Sequence, residues 1–148
     1  MQTLCAHTGT DLAVNTFTKA AAALNICTVT LSADRFLSEG RPKTATRIGT
    51  SVHSLEKGLA CADRGADFLI YGNVFPTTCK PGLPGKDRDE LRRLCMAVDI
   101  PVYAIGGITP ANAQIIHDSG ADGVCLMSGL MLADDPAAVV RALRTVRS

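Results

Sequence analysis

Charge of one sign is what this 148-residue chain has little of: 15 Lys and Arg against 14 Asp and Glu leave a net charge of +1. That balance points away from nucleic acid and from anionic membrane surfaces as partners. Long apolar runs are missing too. Nothing approaches the ~18 residues that span a bilayer, and no secretory signal is visible at Met1. The 6 cysteines, Cys5, Cys27, Cys61, Cys79, Cys95 and Cys125, include no C-x-x-C pair. Cys27, Cys61 and Cys125 have apolar neighbours and read as reduced core thiols of a cytoplasmic protein. Cys79 lies in a Gly- and Pro-rich loop with no ordered base beside it, which argues against a nucleophile.

What is present is alternation of apolar runs with helical patterns, in one domain large enough for a real core. The anchor is Ile100 to Ala113. Pro101 to Ile105 is apolar without polar alternation, as in a parallel strand covered on both faces. Gly106-Gly107 follow, then Thr109 as an N-cap and Pro110 at the first helical position. About twenty residues later, typical of one β/α unit, Gly123 to Met127 repeats the pattern and ends in Ser128-Gly129. Two successive strands each ending in glycine, one with a hydroxyl, suit a phosphate at the mouth of a β/α barrel. A tight strand-to-helix turn holding nothing is the other reading of each.

In chain order, Gln2 to His7 ends a helix at Gly9, Leu12 to Val14 is a short strand, and Phe17 to Leu24 is helical. Ile26 to Leu31 is a strand. Arg35 to Thr46 is polar and promises at most one poor helical turn. Arg47 to Val52 is a strand, and Ser54 caps a helix over Leu55 to Arg64 with Glu56 in its first turn. Ala66 to Tyr71 is a strand, and Val74 to Asp87 a long loop of the length that usually carries function. Asp89 to Ala97 and Pro136 to Val146 are helices. The segment Gly65-Ala66-Asp67 echoes Gly120-Ala121-Asp122, each leading from helix to strand. Six strands alternating with helices argue for a parallel sheet, as a barrel or an open doubly wound sheet.

These stretches carry a resemblance. Ile48 to Glu56, Tyr71 to Phe75 with Thr77 and Cys79-Lys80, Ala104 to Pro110, and Gly120 to Gly123 with Met127 to Gly129 occur in one order across most of the chain. In this the chain resembles the thiamine phosphate synthase superfamily, and most of all its thiazole tautomerase (TenI-type) branch. Cys79-Lys80 followed by Gly82-Leu83, and Met127-Ser128-Gly129, favour that branch. The resemblance implies a parallel β/α (TIM-type) barrel that binds thiazole phosphate. It puts Asn73, Lys80 and Ser51 at catalytic positions. It puts Gly106, Gly107, Ser128, Gly129, Thr77 and Asn15 against the phosphate and substrate, with a lysine at position 80 suited to developing negative charge. Strand-end capping is the alternative for Asn15, Ser51 and Thr77.

Two departures qualify it. The tautomerase pattern has a proton-moving histidine where this chain has Asn73, and an amide is no general base near neutral pH. His53 matches a strand-end position rather than that histidine, and His117 falls in a helix. The synthase branch holds magnesium on two aspartates; Asp34 matches one, and Thr16 stands at the other. Asp34 reads equally as a turn or cap residue. A closed barrel of this kind takes about 200 residues or more. With six strands, the expected form is an open, curved, N-terminally truncated barrel, with unpaired edges at Leu12 to Val14 and Val124 to Met127, or a homo-oligomer that covers them. Three functions remain open: an enzyme of thiamine biosynthesis that joins a pyrimidine to the thiazole or isomerises the thiazole, a non-catalytic phosphate-ester binder, and a packing partner.

Overall fold

The computed structural model describes residues 1–77, 85 and 87–146. Six strands form one parallel sheet in sequence order: β1 (Ala13–Asn15), β2 (Thr28–Ser32), β3 (Arg47–Val52), β4 (Phe68–Gly72), β5 (Val102–Ile105) and β6 (Gly123–Cys125). The helices between and around them are α1 (Gln2–Thr8), α2 (Thr18–Ala23), α3 (Ala33–Glu39), α4 (Leu55–Asp63), α5 (Arg88–Ala97), α6 (Ala113–Asp118), α7 (Ser128–Met131) and α8 (Pro136–Thr145). Each strand pairs with its successor, so every crossover runs the same way and the sheet curls instead of winding about a central switch point. The result is a half-barrel of the TIM type. Among the described residues β1 and β6 each pair on one side only, which leaves the two expected edges open.

The two faces of the sheet differ. Toward the helices, Leu31, Ile48, Val52, Leu69, Tyr71 and Ala104 are at most 1% exposed. The concave face carries the alternate residues, and it is open where a full barrel would place opposing strands. The strand Pro101 to Ile105 is therefore not covered on both sides as its composition suggests: in β5 buried and half-buried residues alternate. Its unbroken apolar character serves helices on one side and the concave wall on the other.

The lower half of the concave face is filled. Phe68 lies across Gly49, where an added Cβ would come within 2.2 Å of the ring. Tyr103 meets Phe68 edge-on at 5.8 Å, and the Arg47 guanidinium stands 5.0 Å from the same ring. Only the half at the carboxyl ends of the strands remains open.

The repeated Gly-Ala-Asp has a structural cause. Asp67 donates its N–H to the Ile48 carbonyl at 2.8 Å and accepts from Ile48 N–H on Oδ2 at 2.5 Å. Asp122 does the same to Val102, at 2.8 Å both ways. Each aspartate thus clamps the start of the preceding strand and fixes the register of its own. Behind the sheet, Glu90 accepts from the buried Tyr71 hydroxyl at 2.6 Å and from Leu55 N–H at 3.0 Å, tying α5 to β4 and α4. Burial and the Glu90 carboxylate keep the Tyr71 phenol protonated far above its ordinary range.

Several local expectations are corrected. The polar stretch after Ser32 holds seven helical residues, α3, because Ser32 Oγ caps it at Arg35 N–H and Arg35 pairs with Glu39 at 2.9 Å. The helix after the glycine pair begins at Ala113, not Pro110. Asn112 Oδ1 accepts from Thr109 N–H at 2.8 Å, which closes a turn in the place of a Thr109 cap. β6 stops at Cys125, and Ser128-Gly129 open α7 instead of directly ending the strand. Cys27, just before β2, is exposed and so is no core thiol; Cys61 is buried and Cys125 half-buried.

Candidate functional site

A cavity of about 740 Å³ opens at the carboxyl ends of the strands, within the range of small-molecule sites. All six strands reach it through concave-face positions: Asn15, Thr30, Ser51, Ile70, Ile105 and Cys125. The strand register explains this, since Asn15 pairs with Thr30, Ser51 with Ile70, and Ile105 with Cys125. The rim adds His53, Asn73, Pro76, Thr77, Gly106 to Thr109 and Leu126 to Gly129.

The two glycine turns face the same space. Gly106 and Gly107 have φ of +103° and +64°, a region that side-chain-bearing residues avoid. They are also crowded by the strap after β4. A Cβ on Gly106 would lie 2.6 Å from Asn73 Cβ, and one on Gly107 2.4 Å from the Pro76 carbonyl. Hydrogen bonds from Val74 N–H to the Ile105 carbonyl (3.0 Å) and from Phe75 N–H to Gly106 (3.1 Å) hold the strap there. Gly129 is close enough to the Ile108 carbonyl that a Cβ would sit at 3.8 Å, so the second turn packs on the first.

The expected site residues separate into two groups. Gly106, Gly107, Ser128, Gly129, Asn15, Ser51, Thr77 and Asn73 all line the cavity. Asn15 Oδ1 accepts from Thr30 Oγ1 at 3.1 Å and from Thr16 Oγ1 at 3.3 Å, which fixes its amide. Asn73 is 5% exposed, and its Nδ2 donates to the Phe75 carbonyl at 3.4 Å. Lys80, like Cys79, lies outside the described residues. Asp34 stands apart from the cavity lining. Its side chain is 78% exposed and its Oδ1 is 2.5 Å from Lys57 Nζ. That hydrogen bond, with the charge behind it, raises the Lys57 pKa.

As the side chains stand, these positions offer a magnesium ion a single carboxylate, and that one is paired with an ammonium. The Asp34 carboxylate already faces an ammonium, and position 16 offers a hydroxyl, with the Arg35 guanidinium donating to the Thr16 carbonyl at 2.6 Å. Among the described residues no three His, Cys, Asp or Glu side chains gather to hold a metal. The Lys57 ammonium at the one candidate carboxylate competes with a metal cation there.

Among the lining residues with a polar or ionisable side chain, Thr30, His53, Thr109 and Cys125 were not expected at the site. The available signal was the period of two along a strand. Thr30 precedes Ser32, and His53 follows Ser51, by two residues, so each shares the concave face.

A curled parallel β/α sheet with its cavity at the carboxyl ends of the strands defines a protein of the β/α-barrel class, whose sites lie at that face. Within that class the family is shown by sequence: the model for "Thiamine monophosphate synthase" matches residues 1–130, and the chain belongs to that family. It is 37% identical over 147 residues to the thiamine-phosphate synthase of Geobacillus kaustophilus, covering 97% of this chain and 66% of the relative. It is 41% identical over 102 residues to the same-named protein of Chloroflexus aurantiacus, covering 68% and 47% of the two chains. Among solved structures, thiamine phosphate pyrophosphorylase from Pyrococcus furiosus is similar with a TM-score of 0.83 and 31% identity, over 98% of this chain and 71% of that one. A 3-hexulose-6-phosphate synthase shares the fold alone, with a TM-score of 0.70 at 17% identity. The chain thus spans about two thirds of the length of the Geobacillus relative.

Proposed function

We propose that the cavity binds thiazole phosphate and that the protein acts in thiamine biosynthesis, in the tautomerase branch of the family. One observation carries the reading: the Gly106-Gly107 turn and the Ser128-Gly129 turn, from consecutive strands, wall a single cavity. Backbone N–H groups at paired glycines and a serine hydroxyl are donors that a phosphate accepts without any carboxylate to compete. Ile70, Ile105 and Ile108 offer an apolar bed for a small ring. Thr77 lines the same cavity and would meet the ligand.

The names of the relatives favour a second reading, thiamine phosphate synthase proper, in which the pyrimidine diphosphate is joined to the thiazole and diphosphate leaves. That chemistry asks for magnesium on two carboxylates. Asp34 engaged by Lys57, with Thr16 at the other position, weighs against it. A further expectation belongs here. The single-sided β1 and β6 edges support association with another copy of the chain, testable by sedimentation. No helix among the described residues is long and apolar enough to cross a membrane.

The test is titration with thiazole phosphate. Heat of binding, and amide shifts at Gly106, Gly107, Ser128 and Gly129, are expected below about 1 mM. Unmoved amides at all four would overturn the reading. Thiamine phosphate formation from the two precursors would instead select the synthase.

A further inference from the structure

The cavity has an amide, Asn73, where the family resemblance looks for a proton-moving group. Its described lining residues include one imidazole, His53, and one thiol, Cys125; no Asp, Glu, Lys or Arg among the described residues lines it. Burial pushes the Cys125 thiol up, so near neutral pH it keeps its proton and accepts none.

His53 is built differently. It follows Ser51 by two residues and stands just beyond the end of β3, beside the end of β4. Its Nδ1 contacts the Gly72 carbonyl, the residue directly before Asn73. A carbonyl only accepts, so Nδ1 carries the proton and Nε2 holds the lone pair. The chain therefore fixes one tautomer of an imidazole at the rim of the cavity, one strand away from the position that lacks a base.

We propose that His53 Nε2 is the proton acceptor of this cavity, acting on a phosphate ester of a five-membered heterocycle. Nε2 takes a proton from a ligand C–H conjugated with a ring C=N bond. The electron pair of that C–H bond moves into the conjugated system. The imidazolium returns the proton at the other end, and neutral imidazole is restored. The net change is an isomerisation, with no oxidant and no leaving group. The inference rests on the thiazole-phosphate reading and deepens it.

The experiment follows deuterium entering thiazole phosphate from heavy water, by proton NMR, alongside calorimetric binding of the same compound. Wild type, His53→Asn and His53→Gln are compared. Asn keeps an N–H near the place of Nδ1 for the Gly72 carbonyl but has no basic nitrogen; Gln changes that contact as well. Exchange is expected to fall about 10²–10⁴-fold in His53→Asn, with Kd within about threefold of wild type. A merely structural histidine would leave exchange in His53→Asn intact, and that result overturns the proposal. Wild type that binds without exchanging overturns it alone, whereas wild type that fails to bind overturns the thiazole reading with it. If His53→Asn loses its dispersed amide spectrum, His53→Gln is held to the same criterion: loss of exchange with binding kept supports the role, and full exchange overturns it.

Discussion

Replacing Gly106 by alanine tests whether the glycine turn and the strap over it form one unit. Its φ of +103° costs an L-residue ~1–2 kcal/mol of backbone strain. The new Cβ would also meet Asn73 Cβ at 2.6 Å and Asn73 Cα at 2.8 Å. Carbon contacts relax to about 3.5–4.0 Å, so the strap must yield by about 1 Å, and it is held by two backbone bonds, to Ile105 and to Gly106 itself. Overpacking of this kind adds about 1–3 kcal/mol. Gly65 is the control: its φ is +89° and nothing lies within 4 Å of its added Cβ, so Gly65→Ala carries the backbone cost alone. At about 3 °C per kcal/mol for a chain of this size, Gly106→Ala should melt about 10 °C below wild type and Gly65→Ala about 4–5 °C below. Melting by circular dichroism reads the difference. In the same samples, Gly106→Ala should weaken thiazole phosphate about tenfold or more, while Gly65→Ala leaves it unchanged. Equal melting points for the two variants would refute the packing argument. Equal affinities would detach the strap from the site.

Two other measurements probe the scaffold. Glu90→Ala strands the buried Tyr71 hydroxyl and the Leu55 N–H, and should cost about 2–4 kcal/mol in urea unfolding, against about 1 kcal/mol for Tyr71→Phe; a smaller loss for Glu90→Ala than for Tyr71→Phe would contradict the bridging role. Burial alone would raise the Asp67 carboxyl, but the Arg41 guanidinium at 2.8 Å and the Ile48 N–H outweigh it and hold the carboxyl below the usual range. A carboxyl lowered in the folded state contributes stability above its unfolded pKa near 4 and loses it as pH falls below that value. Asn at position 67 keeps an acceptor for Ile48 but no charge for Arg41, so the gap in urea midpoint between wild type and Asp67→Asn should shrink from pH 7 to pH 3. A gap that stays constant would remove the charge from the explanation.

The order of strands and helices was legible because each β/α unit writes its own punctuation. Ser54 before α4, the glycine after α4 and the aspartate that opens β4 are local signals, and they fall where the chain needs them. The polar stretch that became α3 was misread because its stability comes from Ser32 and the Arg35–Glu39 pair, not from an apolar stripe. The helix starts four residues after Thr109 because Asn112 Oδ1 takes the Thr109 N–H and closes a turn before the chain becomes helical at Ala113. Asp34 looked like a ligand on type and position alone; the lysine that neutralises it comes from the next β/α unit, 23 residues further along the chain.

By itself, the sequence determined the parallel β/α repeat, the glycine turns after β5 and β6, and the family, since all three rest on short-range spacing and residue type. The tertiary structure alone decided that those two turns share one cavity, that Phe68 lies over Gly49 on the concave face, and that His53 lines the cavity while Asp34 does not. The reason is geometric. Which residues meet at the rim depends on the register of six strands and the curl of the sheet, and these are set by contacts between segments far apart in the chain.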